Sequence, residues 1–316
     1  MRKSKALNSK LLMFVIVVFL ILTGSFLFLS LSPEPTIIEA QQIECKEDTI
    51  TTGLFIPDSL SFCGEKVPLQ YFDVRESLDR ELLINVYFQS QTLGFIKRAN
   101  RFLPYIDSVL LANDIPIDFR YLPIIESGLL NATSPAGARG FWQFMEATGK
   151  DYGLEINSYI DERYNLELAT KAACRYLRNS YQILNNWTLV AASYNMGVNG
   201  IKRRLDAQKV NSYYDLDLNS ETARYVFRIL AFKLIIENQK NYFIDLKKED
   251  LYKPIPFELI LVDTTITDLT EFALSRGTNY KILTILNPWL LENTLMNKSR
   301  KEYVVKIPTP TARNIK

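Results

Sequence analysis

The stretch Ile115-Pro116-Ile117-Asp118-Phe119-Arg120-Tyr121-Leu122-Pro123-Ile124-Ile125-Glu126-Ser127-Gly128-Leu129 places one carboxyl at the end of an otherwise apolar helix. The spacing predicts a helix that starts near Pro116 or Asp118. It bends at Pro123, which supplies no N–H, and stops at Gly128. Glu126 then lies in the last turn, where the helix's own partial charge disfavours an anion. Apolar neighbours disfavour it further. Both effects hold the carboxyl towards the protonated form that a general acid needs. Taken alone, the segment equally fits an ordinary exposed Glu at a helix end.

Two further clusters carry chemistry. In Ser134-Pro135-Ala136-Gly137-Ala138-Arg139-Gly140-Phe141-Trp142-Gln143-Phe144-Met145, the glycines let backbone approach a ligand closely. Rings and a Gln amide suit a sugar, although the same residues could open a core helix, the reading adopted for Phe141 and Phe144. Ala191-Ala192-Ser193-Tyr194-Asn195-Met196-Gly197-Val198-Asn199-Gly200 is followed downstream by Glu221-Thr222-Ala223-Arg224-Tyr225-Val226. Here Tyr194 and Asn195 end a helix with their polar tips towards a cleft, unless the segment is a plain helix–loop–helix corner.

Composition narrows the chemistry. The chain has 316 residues, room for roughly two domains, and 47% apolar against 23% charged residues excludes a disordered polymer. There is no His, so Ser-His-Asp triads, Cys-His dyads and His-bound zinc are excluded. Three cysteines are too few for an all-cysteine zinc site. Cys45 and Cys63 can pair at most, and Cys174, in an Ala-rich helical run, reads as a buried inert thiol.

Leu11 to Leu31 is an uncharged run long enough to span a bilayer. Arg2, Lys3, Lys5 and Lys10 precede it, which puts the N-terminus in the cytoplasm and the remainder outside. The run is longer than a signal-peptide core and lacks a good cleavage site, so an uncleaved anchor is expected over 1–32. Without those four basic residues the net charge of +2 becomes −2, which gives no reason to expect a nucleic-acid partner. Residues 33–68, with scattered prolines, read as a tether. A mainly α domain is expected over 69–245, with helices at 118–127, 140–150, 165–184, 188–195 and 221–238. Strand 257–262, helices 268–276 and 279–286 and strand 302–307 form a small β-α-α-β module over 254–310.

Taken together, these blocks resemble the catalytic domain of lytic transglycosylases of the soluble and membrane-bound D type, which have a goose-lysozyme-like α-helical fold. The family's E-S helix end is similar to Glu126-Ser127, and its S-x-x-G-A-x-G-L-W-Q-x-M block to Ser134–Met145. Its A-Y-N-A-G loop is similar to Ser193–Gly197, and its E-T-x-x-Y-V helix start to Glu221–Val226. Phe141 replaces the usual Leu, Leu130 a frequent Asn, Met196 a small residue and Val198 a common Pro. The resemblance implies cleavage of the glycan strands of peptidoglycan in a bacterial cell envelope, with the catalytic domain in the periplasm and with no metal or cofactor. It implies Glu126 as the single catalytic acid/base and Ser134, Gln143, Met145, Tyr194, Asn195, Glu221 and Tyr225 as substrate-binding residues. Tyr194 would point its hydroxyl near Glu126, Glu221 and Tyr225 would close the far wall, and Trp142 would pack beneath the groove. The alternatives are a lysozyme-type hydrolase and an inactive glycan-binding anchor. The C-terminal unit resembles a LysM-like glycan-binding module, with Gly277-Thr278-Asn279-Tyr280 and Leu286-Asn287-Pro288 in place but only Val262-Asp263-Thr264 at its opening.

Overall fold

The computed structural model describes residues 53–314. The expected membrane helix over Leu11–Leu31 lies outside them, as do Cys45, and with it the Cys45–Cys63 pairing, and the first part of the tether. Among the described residues no helix is long and apolar enough to cross a membrane.

Residues 53–68, expected as tether, instead belong to the main core: Leu54, Leu60, Phe62 and Val67 are buried in it. Strands β1 (Ser61–Phe62) and β2 (Glu65–Lys66) form a small antiparallel hairpin. Phe62 meets Phe119 edge-to-face at 5.4 Å, and Phe119 meets Trp187 in the same way. A two-residue strand has no readable periodicity, which is why the pattern looked irregular.

Helices α1 (Phe72–Tyr87) and α2 (Gln89–Ala112) follow. A 3₁₀ turn, Ile117–Tyr121, then passes into α3 (Leu122–Ser127), so the bend expected at Pro123 is a change of helix type. The helix expected over 140–150 is confined to α4 (Glu146–Asp151). Residues 139–144 cannot be helical because Gly140 and Gln143 both have positive φ and Arg139 bridges to Thr133 and Phe144. α5 (Leu166–Leu184) buries Ala169, Ala173, Cys174 and Leu177. Burial pushes the Cys174 thiol up to about 11, against the opposing charges of Arg178 and Arg175. α6 (Trp187–Met196) turns at Gly197 into α7 (Val198–Gln208).

The central element is α8 (Ser220–Glu237), which buries most of its residues from Thr222 to Ile235 and keeps Arg224, Arg228 and Lys233 half-buried. It packs along α1, where the Glu81 carboxylate, 1% exposed, accepts from Arg224 Nε and from Nη2 at 3.0 Å.

The C-terminal module is β3 (Phe257–Val262), α9 (Leu269–Ser275), α10 (Tyr280–Leu286) and β4 (Tyr303–Pro308). β3 and β4 pair antiparallel from Phe257↔Pro308 to Val262↔Tyr303. Their outward side chains Phe257, Leu259, Leu261 and Val304 are exposed. The buried Asn287 side chain donates to Lys306 O and accepts from Lys306 N, both at 2.8 Å. Body and module, expected as separate domains over 69–245 and 254–310, belong to one compact unit beginning at Gly53.

One ionic cap ties the hairpin to the body. The Glu65 carboxylate accepts from Trp187 N–H (2.6 Å), Thr188 N–H (2.8 Å) and the Thr188 hydroxyl (2.6 Å), which satisfies the open N–H groups at the start of α6. Glu65→Ala should therefore cost about 1–2 kcal/mol, or roughly 2–8 °C in Tm by thermal circular dichroism. An unchanged Tm would mean that the Glu65 cap contributes nothing to stability.

Candidate active site

Glu126 sits in the last turn of α3, and its position is set by how that helix ends. Gly128 takes the left-handed conformation (φ 63°), and a Cβ there would lie 2.4 Å from the Phe95 ring. Only glycine meets both conditions. The carbonyls at the helix end are taken by side chains from elsewhere. Arg98 Nε donates to Gly128 O at 2.6 Å, and Arg228 Nη2 donates to Ile125 O at 2.7 Å. The Ser127 hydroxyl lies 3.0 Å from Pro123 O and 2.9 Å from Phe141 O, joining the helix end to the next block.

The carboxyl itself receives a hydrogen bond at Oε1 from the Tyr225 hydroxyl. Its pKa rises from 4.5 to about 6. Burial is the largest cause; the Tyr225 bond and the Arg228 charge oppose it, and the Glu221 charge adds to it. Burial also holds the Tyr225 hydroxyl well above its ordinary range, as do the charge and bond of Glu126, so Tyr225 remains a donor.

The other residues named from the sequence take places the sequence did not reveal. Tyr194, expected to point its hydroxyl near Glu126, donates it to Trp142 O at 2.8 Å. Burial and then the Glu126 charge raise its pKa, so it lies within electrostatic range of the carboxyl without bonding to it. Tyr225, expected at the far wall, is the residue that touches Glu126. Ser134 Oγ accepts from Ala138 N–H at 3.0 Å, closing its own turn. Gln143, at φ 49°, donates through Nε2 to Gly140 O (2.7 Å) and Ala132 O (3.1 Å). Met145 is 46% exposed, whereas Trp142 is buried with its Nε1 donating to Thr170 Oγ1 at 2.9 Å.

Asn195 and Glu221 meet across the ends of α6 and α8. Asn195 Nδ2 donates to Glu221 Oε1 at 2.9 Å, and Asn195 Oδ1 accepts from Thr222 Oγ1 at 2.7 Å. Glu221 is exposed. Sequence reading missed Arg98 and Arg228, whose motif neighbours gave no sign that they point at the helix end. It also missed Asp161 and Arg163, a buried pair behind the Ser134–Met145 loop. Among the described residues no three acidic or thiol side chains gather as a metal site requires.

A carboxyl poised near 6 and held by a buried tyrosine, beside a loop of aromatic and amide groups, is suited to proton transfer on a polar ligand. Residues 116–216 match the family model "Transglycosylase SLT domain", and residues 258–311 match "Soluble lytic transglycosylase C-terminal LysM-like domain". The chain carries an SLT transglycosylase domain. Membrane-bound lytic murein transglycosylase D of Escherichia coli (strain K12) is homologous to it, 30% identical over 202 residues, 61% of this chain and 44% of that one. The same-named protein of Escherichia coli O6:H1 aligns with identical figures. A "Putative tributyltin chloride resistance protein" of Alteromonas sp. (strain M-1) is 26% identical over 167 residues, 51% of this chain and 80% of that one. The chain thus spans less than half the length of the first two relatives. The SLT match contains Glu126, the loop and Tyr194, and it ends before Glu221 and Tyr225.

The raised pKa has a consequence for stability. The folded SLT domain binds the Glu126 proton more tightly than the unfolded chain does. That stabilisation is complete below pH 4.5 and is lost as pH rises through about 6. Glu126→Gln removes the titration, so the Tm of the variant should gain on that of the wild type as pH rises from 4.5 to about 6, then keep a constant lead. A Tm difference independent of pH would contradict this account.

Proposed function

We propose that the chain is a peptidoglycan lytic transglycosylase that cuts the β-1,4 bond between N-acetylmuramic acid and N-acetylglucosamine and leaves 1,6-anhydromuramic ends. The observation that carries this reading is Glu126: a carboxyl in the last turn of α3, raised by burial to about 6, with Tyr225 fixed on one oxygen. With Oε1 occupied as an acceptor, the proton belongs on Oε2, ready for the glycosidic oxygen. Its transfer breaks the C1–O bond, and the muramic N-acetyl oxygen supports C1. The resulting Glu126 carboxylate, stabilised by Tyr225 and Arg228, then takes the proton of the C6 hydroxyl as O6 bonds to C1. Glu126 ends protonated again, and no water is consumed.

The binding roles belong to the same proposal and are supported by the resemblance of these blocks to the family's motifs. Gln143 and Met145 line the groove, and Ser134 shapes its turn. Tyr194 supports the wall through Trp142 O. Asn195 holds Glu221 by a hydrogen bond from its side-chain amide, which favours a binding role for that carboxylate over the second catalytic role a hydrolase requires. Ring closure is favoured by proximity, since intramolecular attack has effective molarities of about 10⁵–10⁸ M.

Purified full-length chain acting on peptidoglycan tests the reaction. Mass analysis should show anhydro ends, one water lighter than hydrolysed ends and free of ¹⁸O from labelled water. Glu126→Gln should lower turnover about 10²–10⁴-fold or more. Reducing, ¹⁸O-labelled ends would point to a hydrolase, and no product at all to a binding anchor.

We also infer that Leu11–Leu31 anchors the protein in a membrane of the cell envelope, with the remaining chain outside the cytoplasm. The support is the uncharged run with its one-sided basic flank, together with the homologue's being named a membrane-bound protein. Full-length protein should stay in the pellet on alkaline carbonate extraction; release into the supernatant would refute the anchor.

A further inference from the structure

The Ser134–Met145 loop and the C-terminal module are gripped by opposite faces of one short segment, Tyr159–Arg163. The segment is extended at Asp161 (φ −134°, ψ 95°), so successive side chains point opposite ways. Ile160, 1% exposed, enters the module core beside Leu290 and bridges it through the backbone. Asp161 N–H donates to Trp289 O at 3.0 Å, and Leu291 N–H donates to Tyr159 O at 2.9 Å. Lys301 of the module adds ion pairs to Glu155 (2.6 Å) and Glu162 (3.2 Å).

The other face holds the loop. The Asp161 carboxylate, fully buried, accepts from Arg163 Nε (2.9 Å) and Nη2 (2.7 Å) and from Arg139 Nη1 (3.0 Å). Arg163 Nη1 then reaches Gly137 O at 3.1 Å and Phe144 O at 3.2 Å, on either side of Trp142 and Gln143. Gly140 closes against the Arg163 backbone so tightly that a Cβ would lie 1.9 Å from Arg163 O. A buried ion pair contributes little to stability compared with apolar packing. What apolar side chains could not do is satisfy two loop carbonyls at a fixed separation, a task for the two hydrogens of Nη1 once Nε and Nη2 fork onto Asp161 and fix the guanidinium plane.

We propose that Arg163 is a positioning residue for the Ser134–Met145 loop, and that the C-terminal module acts on glycan cleavage by holding the Tyr159–Arg163 segment that carries it. The proposal rests on the transglycosylase reading of the site. It makes the module part of the active-site framework, so that loosening the module at Leu290 or Lys301 displaces Gln143 and Met145.

The chain has three tryptophans, Trp142 in the loop, Trp187 at the start of α6 and Trp289 in the module. Full-length protein labelled with 5-fluorotryptophan therefore gives one ¹⁹F signal for each region, assigned by single Trp→Phe replacements. Leu290→Ala should shift the Trp289 and Trp142 signals together and leave Trp187 in place. Arg163→Lys keeps the charge but loses the fork. It should shift Trp142, and turnover on peptidoglycan should fall about 10²-fold, the scale of an ångström-level misplacement. The alkaline limb of the pH–rate profile should remain near the Glu126 value of about 6, because neither change touches the carboxyl. Lys301→Met, at a half-exposed surface position, reads the same link if Leu290→Ala fails to fold. A Trp289 shift with Trp142 and turnover at wild-type values would overturn the proposal. A wild-type chain without activity on peptidoglycan would instead refute the transglycosylase reading, and the Trp142 signal would still decide whether module and loop are linked.

Discussion

A helix that stops inside a protein leaves carbonyls that the helix cannot satisfy. At the end of α3 that demand falls on Arg98, Arg228 and Ser127, which reach Gly128 O, Ile125 O and the Pro123 and Phe141 carbonyls. Three parts of the chain, α2, α8 and the loop after α3, thus converge on one turn. The turn carries Glu126, so satisfying the backbone and aiming the carboxyl are one event. α8 serves both purposes from a single face: Tyr225 and Arg228, three residues apart on the helix, bind the carboxyl and the carbonyl behind it.

The balance at Glu126 is a competition in which burial prevails. Tyr225 and Arg228 both favour the anion, and Glu221 disfavours it. Were the site open to water, the two favourable partners would pull the carboxyl below its ordinary value. The apolar wall of α3 and α8 supplies the desolvation that reverses the sign. Acid strength here is therefore a property of packing, and core substitutions far from the groove reach it through that packing.

Much of this was legible in the sequence because it is local. The helix of Glu126, its stop at Gly128, the buried Cys174 and the β-α-α-β order of the module all follow from spacing and from stop residues. What was not legible depends on partners distant in the chain. Tyr225 is 99 residues from Glu126, Lys301 is 146 from Glu155, and Glu65 is 122 from the helix it caps. A helix over 140–150 is expected because Phe141, Trp142, Phe144 and Met145 can open a core helix. Left-handed backbone at Gly140 and Gln143 rules that out, and composition shows only that such a turn is allowed. Residues 54–67 failed for the opposite reason, being apolar enough to pack but too short in each strand to show a period.

The two-stranded sheet of the module has an asymmetry that bears on how copies of the chain behave in solution. An open strand edge is a template for another strand. On β4 that edge is occupied at Lys306 by Asn287, whose buried amide offers one donor and one acceptor in the manner of a neighbouring strand. β3 has no second strand partner among the described residues, and its outward side chains include Leu259 and Leu261. Among the described residues β3 is therefore a weak point against association, where the exposed Glu258 supplies like-charge repulsion between copies. High salt screens that repulsion while leaving the apolar face in place.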